Sequence, residues 1–279
     1  MSEHVNSLKH DPRKLCNAYF RLAKRWWMAV LLCKFSIVLI GALVVWLSVL
    51  SKLTPFVVFL LTVTSEWLLW RSDGAKATAE SLLRKLDFRD GLGWEISRDE
   101  LSDVLARTPA KMRGKIPPEG HQQDYFASRD EHGPKRALKN IQESAWWSKH
   151  LAEKMGQYTL AFTVVCVVGS LFILIVSLST VANFDALSGV GRVVTSVLML
   201  LLSLGLIRLT LNYYGFSRKA QRAEERVGEL LKYGFGDMEA VKVYNEYHLS
   251  RAAAPLIPDQ VWKWNQKYLN EFWEEYRND

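Results

Sequence analysis

The sequence predicts an all-α integral membrane protein with four transmembrane helices in two hairpins. A helical cytoplasmic domain, built from the middle loop and the C-terminal tail, completes the fold. Three observations carry this expectation. Four apolar runs alternate with strongly charged segments, although the mean hydropathy of −0.03 is that of an ordinary soluble chain. Lys and Arg crowd one side of those runs and are scarce on the other. Strand-like alternation is absent, whereas the charged segments carry helical spacing.

The runs are MAVLLCKFSIVLIGALVVWLSVL (28–50), LTPFVVFLLTVTSEWLLW (53–70), YTLAFTVVCVVGSLFILIVSLSTVA (158–182) and VVTSVLMLLLSLGLIRLTLNYY (193–214). A hydrocarbon core about 30 Å thick takes about 20 helical residues, and the second run is the shortest of the four. One such run could be the central helix of a soluble protein, but four need more polar covering than 279 residues offer. The first is too long for the apolar region of a signal peptide and no small-residue cleavage pattern follows it, so it is expected to stay as an anchor.

Segment 1–27 reads as basic and amphipathic. Asp11-Pro12 marks a helix start, and Leu15, Tyr19, Leu22 and Trp26 recur on one face between basic residues. Such a helix could lie on the inner leaflet or run straight into the first span, with Trp26 and Trp27 as an interfacial belt. Lys9, Arg13, Lys14, Arg21, Lys24 and Arg25 precede that span, and Arg218, Lys219, Arg222 and Arg226 follow the fourth. The hairpin loops offer only Lys52 and Arg192. The positive-inside rule therefore places both termini and the middle segment in the cytoplasm.

Within the cytoplasmic insert, 71–157, a helix is expected over AKATAESLLRKLDFRD with Leu82, Leu83 and Leu86 on one face. A second is expected over EISRDELSDVLART, where Ser97 followed by Glu100 has the spacing of a capping box. Residues 108–134 read mostly as loop, being broken by Pro117, Pro118, Gly120, Gly133 and Pro134. From Lys135 a helix runs toward the third span. In the tail, 215–279, helices are expected over FSRKAQRAEERVGELLKYG, DMEAVKVYNEYHLSRA and QVWKWNQKYLNEFWEEYR. In the last of these Val261, Trp264, Tyr268, Phe272 and Tyr276 form an apolar stripe expected to pack on the cytoplasmic domain.

The formal charge of +7 is explained by the positive-inside bias and by anionic headgroups, so no nucleic-acid partner is expected. Cys16, Cys33 and Cys166 are widely separated and read as free thiols. No phosphate loop, metalloprotease motif, nucleophile elbow or paired-cysteine metal spacing occurs. The six histidines are scattered and receive no ligand role. The chain is therefore not read as an enzyme, and no cofactor or metal is expected.

The informative polar residues lie inside the spans. Lys34 sits about seven residues, roughly 10 Å, inside the Trp26–Trp27 belt; Glu66 lies roughly 7 Å from Arg71, and Arg208 roughly 10 Å from the exit of the fourth span. The three form a candidate charged layer near the inner leaflet, where each isolated charge costs up to about 3 kcal/mol. Lys34 with Glu66 is the natural pair. It either fixes the first hairpin while Arg208 snorkels, or belongs to a polar ring lining a pore. Cys166, Ser170, Ser177 and Gly205 are candidates for a small-residue helix-packing face.

Two segments carry a family resemblance: YFASRDEHGPKRALKNIQESAWWSKHLAEKMGQY (125–158) and EYHLSRAAAPLIPDQVWKWNQKYLNEFW (246–273). The aligned features are Gly133-Pro134, the run Glu143-Ser144-x-x-Trp147-Ser148, and Pro255-Leu-Ile-Pro258-Asp259. With the span layout, they make the chain similar, over nearly its whole length, to the SMODS-associating four-transmembrane effectors of bacterial antiphage systems. The resemblance implies an inner-membrane effector acting beside a nucleotide second-messenger synthase, which permeabilises or disrupts the membrane on infection. A homo-oligomer is expected because a polar ring lining a pore takes a contribution from each copy. It also implies that a cyclic nucleotide signal or a defence partner protein is read by segments 71–157 and 215–279. A regulated channel or transporter, or a membrane scaffold whose cytoplasmic domain binds a protein, is the competing expectation. The absence of an inverted repeat and of Pro-broken spans weighs against a transporter.

Overall fold

The computed structural model describes residues 10–46, 53–118, 125–180, 191, 194, 195 and 205–278. Its elements there are helices: α1 (Pro12–Trp46), α2 (Thr54–Leu92), α3 (Arg98–Arg107), α4 (Ala110–Arg113), α5 (Pro134–Thr180), α6 (Leu206–Tyr233), α7 (Asp237–Ala253) and α8 (Asp259–Asn278). The chain divides into two compact units. The first comprises Met1–Ala23, Asp73–Ala152 and Gly215–Asp279, and the second Lys24–Ser72 and Glu153–Tyr214. Helices α1, α2, α5 and α6 each contribute one part to each unit.

The first unit has two apolar cores. In one, Leu15, Cys16, Tyr19 and Ala23 of α1 pack on Ala75, Ala79, Leu82, Leu83 and Leu86 of α2, with Leu101 of α3 and Ile116. The apolar face of the N-terminal helix is thus spent on protein. In the other core, Leu138 and Ile141 of α5 and Val227 of α6 meet Val243, Tyr244 and Tyr247 of α7. The ends of α2 and α5 approach closely at Gly91, where an added Cβ would lie 2.9 Å from the Ala137 Cα. Gly93 then ends α2 at φ +77°, a left-handed conformation that glycine adopts without steric cost. In its described part, loop 108–134 is helical over the four-residue α4 and at Pro134, which opens α5. Lys76 caps the far end of α7, donating from Nζ to the carbonyls of Ala252 and Ala254 at 2.6 Å each.

The second unit turns large apolar side chains outward: Leu32, Phe35 and Leu39 of α1, Phe56, Phe59, Leu60 and Trp67 of α2, Phe162, Val165, Phe172 and Ile175 of α5, and Ile207 and Leu211 of α6 are all exposed. Its buried side chains are mixed: Val30, Leu68, Met155, Leu206 and Tyr213 lie beside Ser65, Ser72, Thr163, Ser170 and Thr210. Among the described residues one helix, over Pro134–Phe172, is long and apolar enough to cross a membrane. The loops expected at 51–52 and 183–192, apart from Gly191, and residues 193 and 196–204 of the fourth run lie outside the described residues. That run is not described as one helix to its end, because α6 begins only at Leu206.

The stripe expected to pack in the last helix holds at Val261 and is corrected beyond it. Trp264, Tyr268 and Phe272 are exposed, while Val261, Asn265 and Leu269 make the buried face of α8. The side chain of Tyr276 lies outside the described set. An i, i+4, i+8 row containing an asparagine has less apolar contrast than the neighbouring aromatic row, yet it is the one the core accepts.

Candidate functional site

In the second unit Lys34 Nζ stands 3.9 Å from Glu66 Oε1. The lysine side chain is largely covered, at 16% exposure, and the glutamate is open, at 63%. One flank of the first hairpin thus presents an open carboxylate beside a covered lysine. At the charged end of the same hairpin, Trp26 and Trp67 meet edge to face with centroids 6.1 Å apart. The Arg71 guanidinium lies 6.0 and 5.9 Å from the two rings, at the outer limit of cation–π contact. Arg208 is exposed on α6, and no ion pair involves it among the described residues.

Of the small residues expected to pack helices, Ser170 is buried and Cys166 half-buried. The Ser177 side chain lies outside the described set. Gly205 does something else. It precedes α6 at φ +58°, with open space where a Cβ would sit, so its role is conformational. The close approach is made instead by Gly156 of α5, where an added Cβ would come within 3.1 Å of the Tyr214 ring of α6. Beside it Thr210 donates to Thr159 across 3.0 Å.

The first unit contains a buried ionisable cluster that the sequence did not reveal. Asp87 of α2 and His248 of α7 are 3% and 4% exposed, with Nε2 to Oδ2 at 3.7 Å. Arg251, one turn beyond His248, reaches Asp87 Oδ2 at 3.8 Å and Glu80 Oε2 at 4.0 Å. It also donates to the Ser144 hydroxyl at 3.1 Å. Tyr247, fully enclosed, shares hydrogen bonds with Ser144 and Ser148 at 2.9 and 3.0 Å. Those two serines belong to the run of α5 singled out by the family resemblance. Nearby, Arg13 pairs with Asp90 and stacks 4.2 Å from the Tyr125 ring.

Helical geometry explains why these groups meet. Tyr244, Tyr247, His248 and Arg251 fall at i, i+3, i+4 and i+7, hence on one face of α7. Glu80 and Asp87 lie two turns apart on α2, and Ser144 and Ser148 one turn apart on α5. Each set alone looks like a solvated stripe. Only packing from distant parts of the chain turns them inward.

Burial dominates the electrostatics. It pushes the Asp87 carboxyl up to about 7 against the opposing pull of Arg251 and Arg13. It pushes His248 down to about 3, helped by Arg251 and Arg84. Glu80 is raised by burial and drawn back by Arg251 and Lys76. At neutral pH the imidazole is therefore uncharged, and Asp87 is the titrating group. Asp87 Oδ1, His248 Nε2 and the Tyr244 hydroxyl are buried without hydrogen-bond partners, which leaves the cluster able to accept and donate further bonds.

This is not the geometry of a nucleophile with its base, since no hydroxyl or thiol bonds to His248 among the described residues. No group of three His, Cys, Asp or Glu side chains there could hold a metal ion. The Cys16 thiol is buried, donates to the Ala79 carbonyl at 3.3 Å, and is pushed up to about 12 by burial. An open groove of about 300 Å³ adjoins the cluster, with Phe88 and Trp94 stacked at 5.1 Å on its wall and Arg84 and Lys85 at its edge. Lys85 is paired there with Glu100 at 2.8 Å. No protein-family model, curated protein or solved structure matches this chain.

Proposed function

We propose that the protein is a multi-pass effector of the bacterial inner membrane, with four spans in two hairpins and both termini cytoplasmic. It oligomerises and permeabilises the membrane when its helical cytoplasmic unit is triggered. One observation carries the reading: all four helices of the second unit expose large Leu, Phe, Val or Ile side chains, while Ser65, Ser72, Thr163, Ser170 and Thr210 are buried beside Val30, Leu68 and Tyr213. That arrangement suits a hydrocarbon solvent and would aggregate in water. The exposed carboxylate of Glu66 beside Lys34 supports a role for the charged layer in ion passage once copies assemble. The buried Asp87–His248–Arg251 cluster, which ties α2, α5 and α7 together, supplies an element whose repacking could follow a trigger. The family resemblance points the same way and adds the class of trigger, a cyclic nucleotide signal or a defence partner protein.

Topology is tested with an impermeant maleimide on intact cells. Leu53→Cys and Gly191→Cys should label from outside, whereas Trp94→Cys and Tyr233→Cys should label only after the membrane is opened. Activity is tested by inducing the chain, alone and with a nucleotide second-messenger synthase, in cells carrying a membrane-potential dye. Depolarisation on co-expression is expected, and Glu66→Gln should suppress it at unchanged protein level. Depolarisation absent in both cultures would sink the permeabilising role. Full activity in the Lys34→Glu/Glu66→Lys swap would reduce the charged layer to a hairpin bridge.

A further inference from the structure

We propose that the outer face of α8 is a self-association surface, through which two copies of this chain pair antiparallel with Tyr268 opposite itself on the two-fold axis. Trp264, Tyr268 and Phe272, at i, i+4 and i+8, form a ridge that is 72%, 54% and 46% exposed. The other side of the helix is already used: Val261, Asn265 and Leu269 are buried, and Trp273 packs on Trp146 of α5 with centroids 5.2 Å apart. Tyr268 and Phe272 contact each other with ring centroids 4.6 Å apart, and Trp264 stands one turn before them on the same side.

Charge identifies the occupant. Along one flank of the ridge, at successive spacings of about one turn, stand Lys263, Lys267, Glu271 and Glu274. All four are exposed, and none is ion-paired within the chain among the described residues. Two positive charges are followed by two negative ones. A two-fold axis at residue 268 reverses that order on the second copy. At about 1.5 Å per residue, Lys263 then lies nearly level with Glu274 of the second copy, and Lys267 within about 3 Å of the level of its Glu271. Trp264 of each copy meets Phe272 of the other, and the two tyrosines meet at the centre, an arrangement aromatic rings favour.

A parallel pair would instead set Lys beside Lys and Glu beside Glu, which is repulsive. An anionic lipid surface would attract the first half of the strip and repel Glu271, Glu274 and Glu275 in the second. The pattern complements itself, the condition for a two-fold contact between identical chains. Three aromatic side chains per copy cover less than the roughly 800 Å² per partner of a stable interface, so the pairing is reversible.

The test uses the full chain in detergent micelles and does not depend on the membrane topology. With Tyr268→Cys, mild oxidation should give covalent dimer several-fold above that of the chain with only its native Cys16, Cys33 and Cys166. Adding Lys263→Glu and Lys267→Glu should cut the yield about tenfold. Adding Glu271→Lys and Glu274→Lys to that same chain should restore it. Because these positions are exposed, helicity should be unchanged throughout. A yield at background, a yield indifferent to the charge reversals, or equal cross-linking of Trp264→Cys to itself would each overturn the proposal. Quenching of Trp264 emission by brominated lipid in vesicles, with no Tyr268→Cys dimer, would assign the strip to the lipid surface instead and equally overturn it.

Discussion

Asp87 and His248 face each other at 3.7 Å in the interior of the helical unit, and their titrations oppose each other. Folding holds a proton on Asp87 up to about pH 7, whereas an unfolded aspartate releases it near 3.8. This term raises stability as pH falls from 7 to 3.8. Folding keeps His248 unprotonated down to about pH 3, whereas the unfolded imidazole charges near 6.5. That term lowers stability as pH falls from 6.5 to 3. Each has a slope of about 1.4 kcal/mol per pH unit, so between 6.5 and 3.8 they largely cancel.

Single substitutions should uncover the two halves. Between pH 6.5 and 5, Asp87→Asn should lose stability relative to the wild type by about 1–2 kcal/mol, and His248→Gln should gain a similar amount. Urea unfolding of the full chain at the two pH values measures both differences. Parallel pH profiles for the three proteins would show that the two groups titrate alike in the folded and unfolded chain.

Tyr247→Phe removes the hydroxyl shared by Ser144 and Ser148 without opening a cavity. The expected cost is about 1–3 kcal/mol, from the lost hydrogen bonds and two part-buried hydroxyls. The midpoint of urea unfolding should fall at constant slope, and tryptophan emission can follow it.

Gly91→Val places a branched side chain where even a single Cβ would lie 2.9 Å from the backbone of α5. The helices must separate, at a cost of about 1–3 kcal/mol. Gly74→Ala, with nothing within 4 Å of its Cβ, is the matched control and should be neutral or slightly stabilising in the same assay.

Cys16 should resist thiol reagents in the folded protein, because its sulfur is enclosed and its pKa lies about 12. Mass spectrometry after brief maleimide exposure should find it unmodified, and modified once urea is added. Rapid labelling without denaturant would mean that α1 detaches from α2.

How far the sequence could be read depended on how local each signal was. Ser97 and Glu100 announced a capping box from a spacing of three, and the structure forms both of its hydrogen bonds. Lys34 and Glu66 could be paired because a tight hairpin leaves little choice of depth. Asp87 and His248 lie far apart in sequence, and a polar row on an amphipathic helix normally faces water, so nothing local marked them as buried. The resemblance drew attention to Ser144 and Ser148 but not to the tyrosine they serve. In α8 the aromatic row outweighed the Val261–Asn265–Leu269 row by composition alone. Such a row reads as core whether its partner is the same chain or another one.

The apolar outer surface of the second unit has a practical consequence for anyone who purifies the protein. Its two units present different surfaces, one charged and one aliphatic, so no single denaturant addresses both. Urea acts on the charged helical unit, while a micelle continues to shelter the aliphatic one. An unfolding curve followed by circular dichroism should therefore show a first transition that leaves much of the helical signal in place. A Tm or midpoint taken from that transition describes the first unit alone.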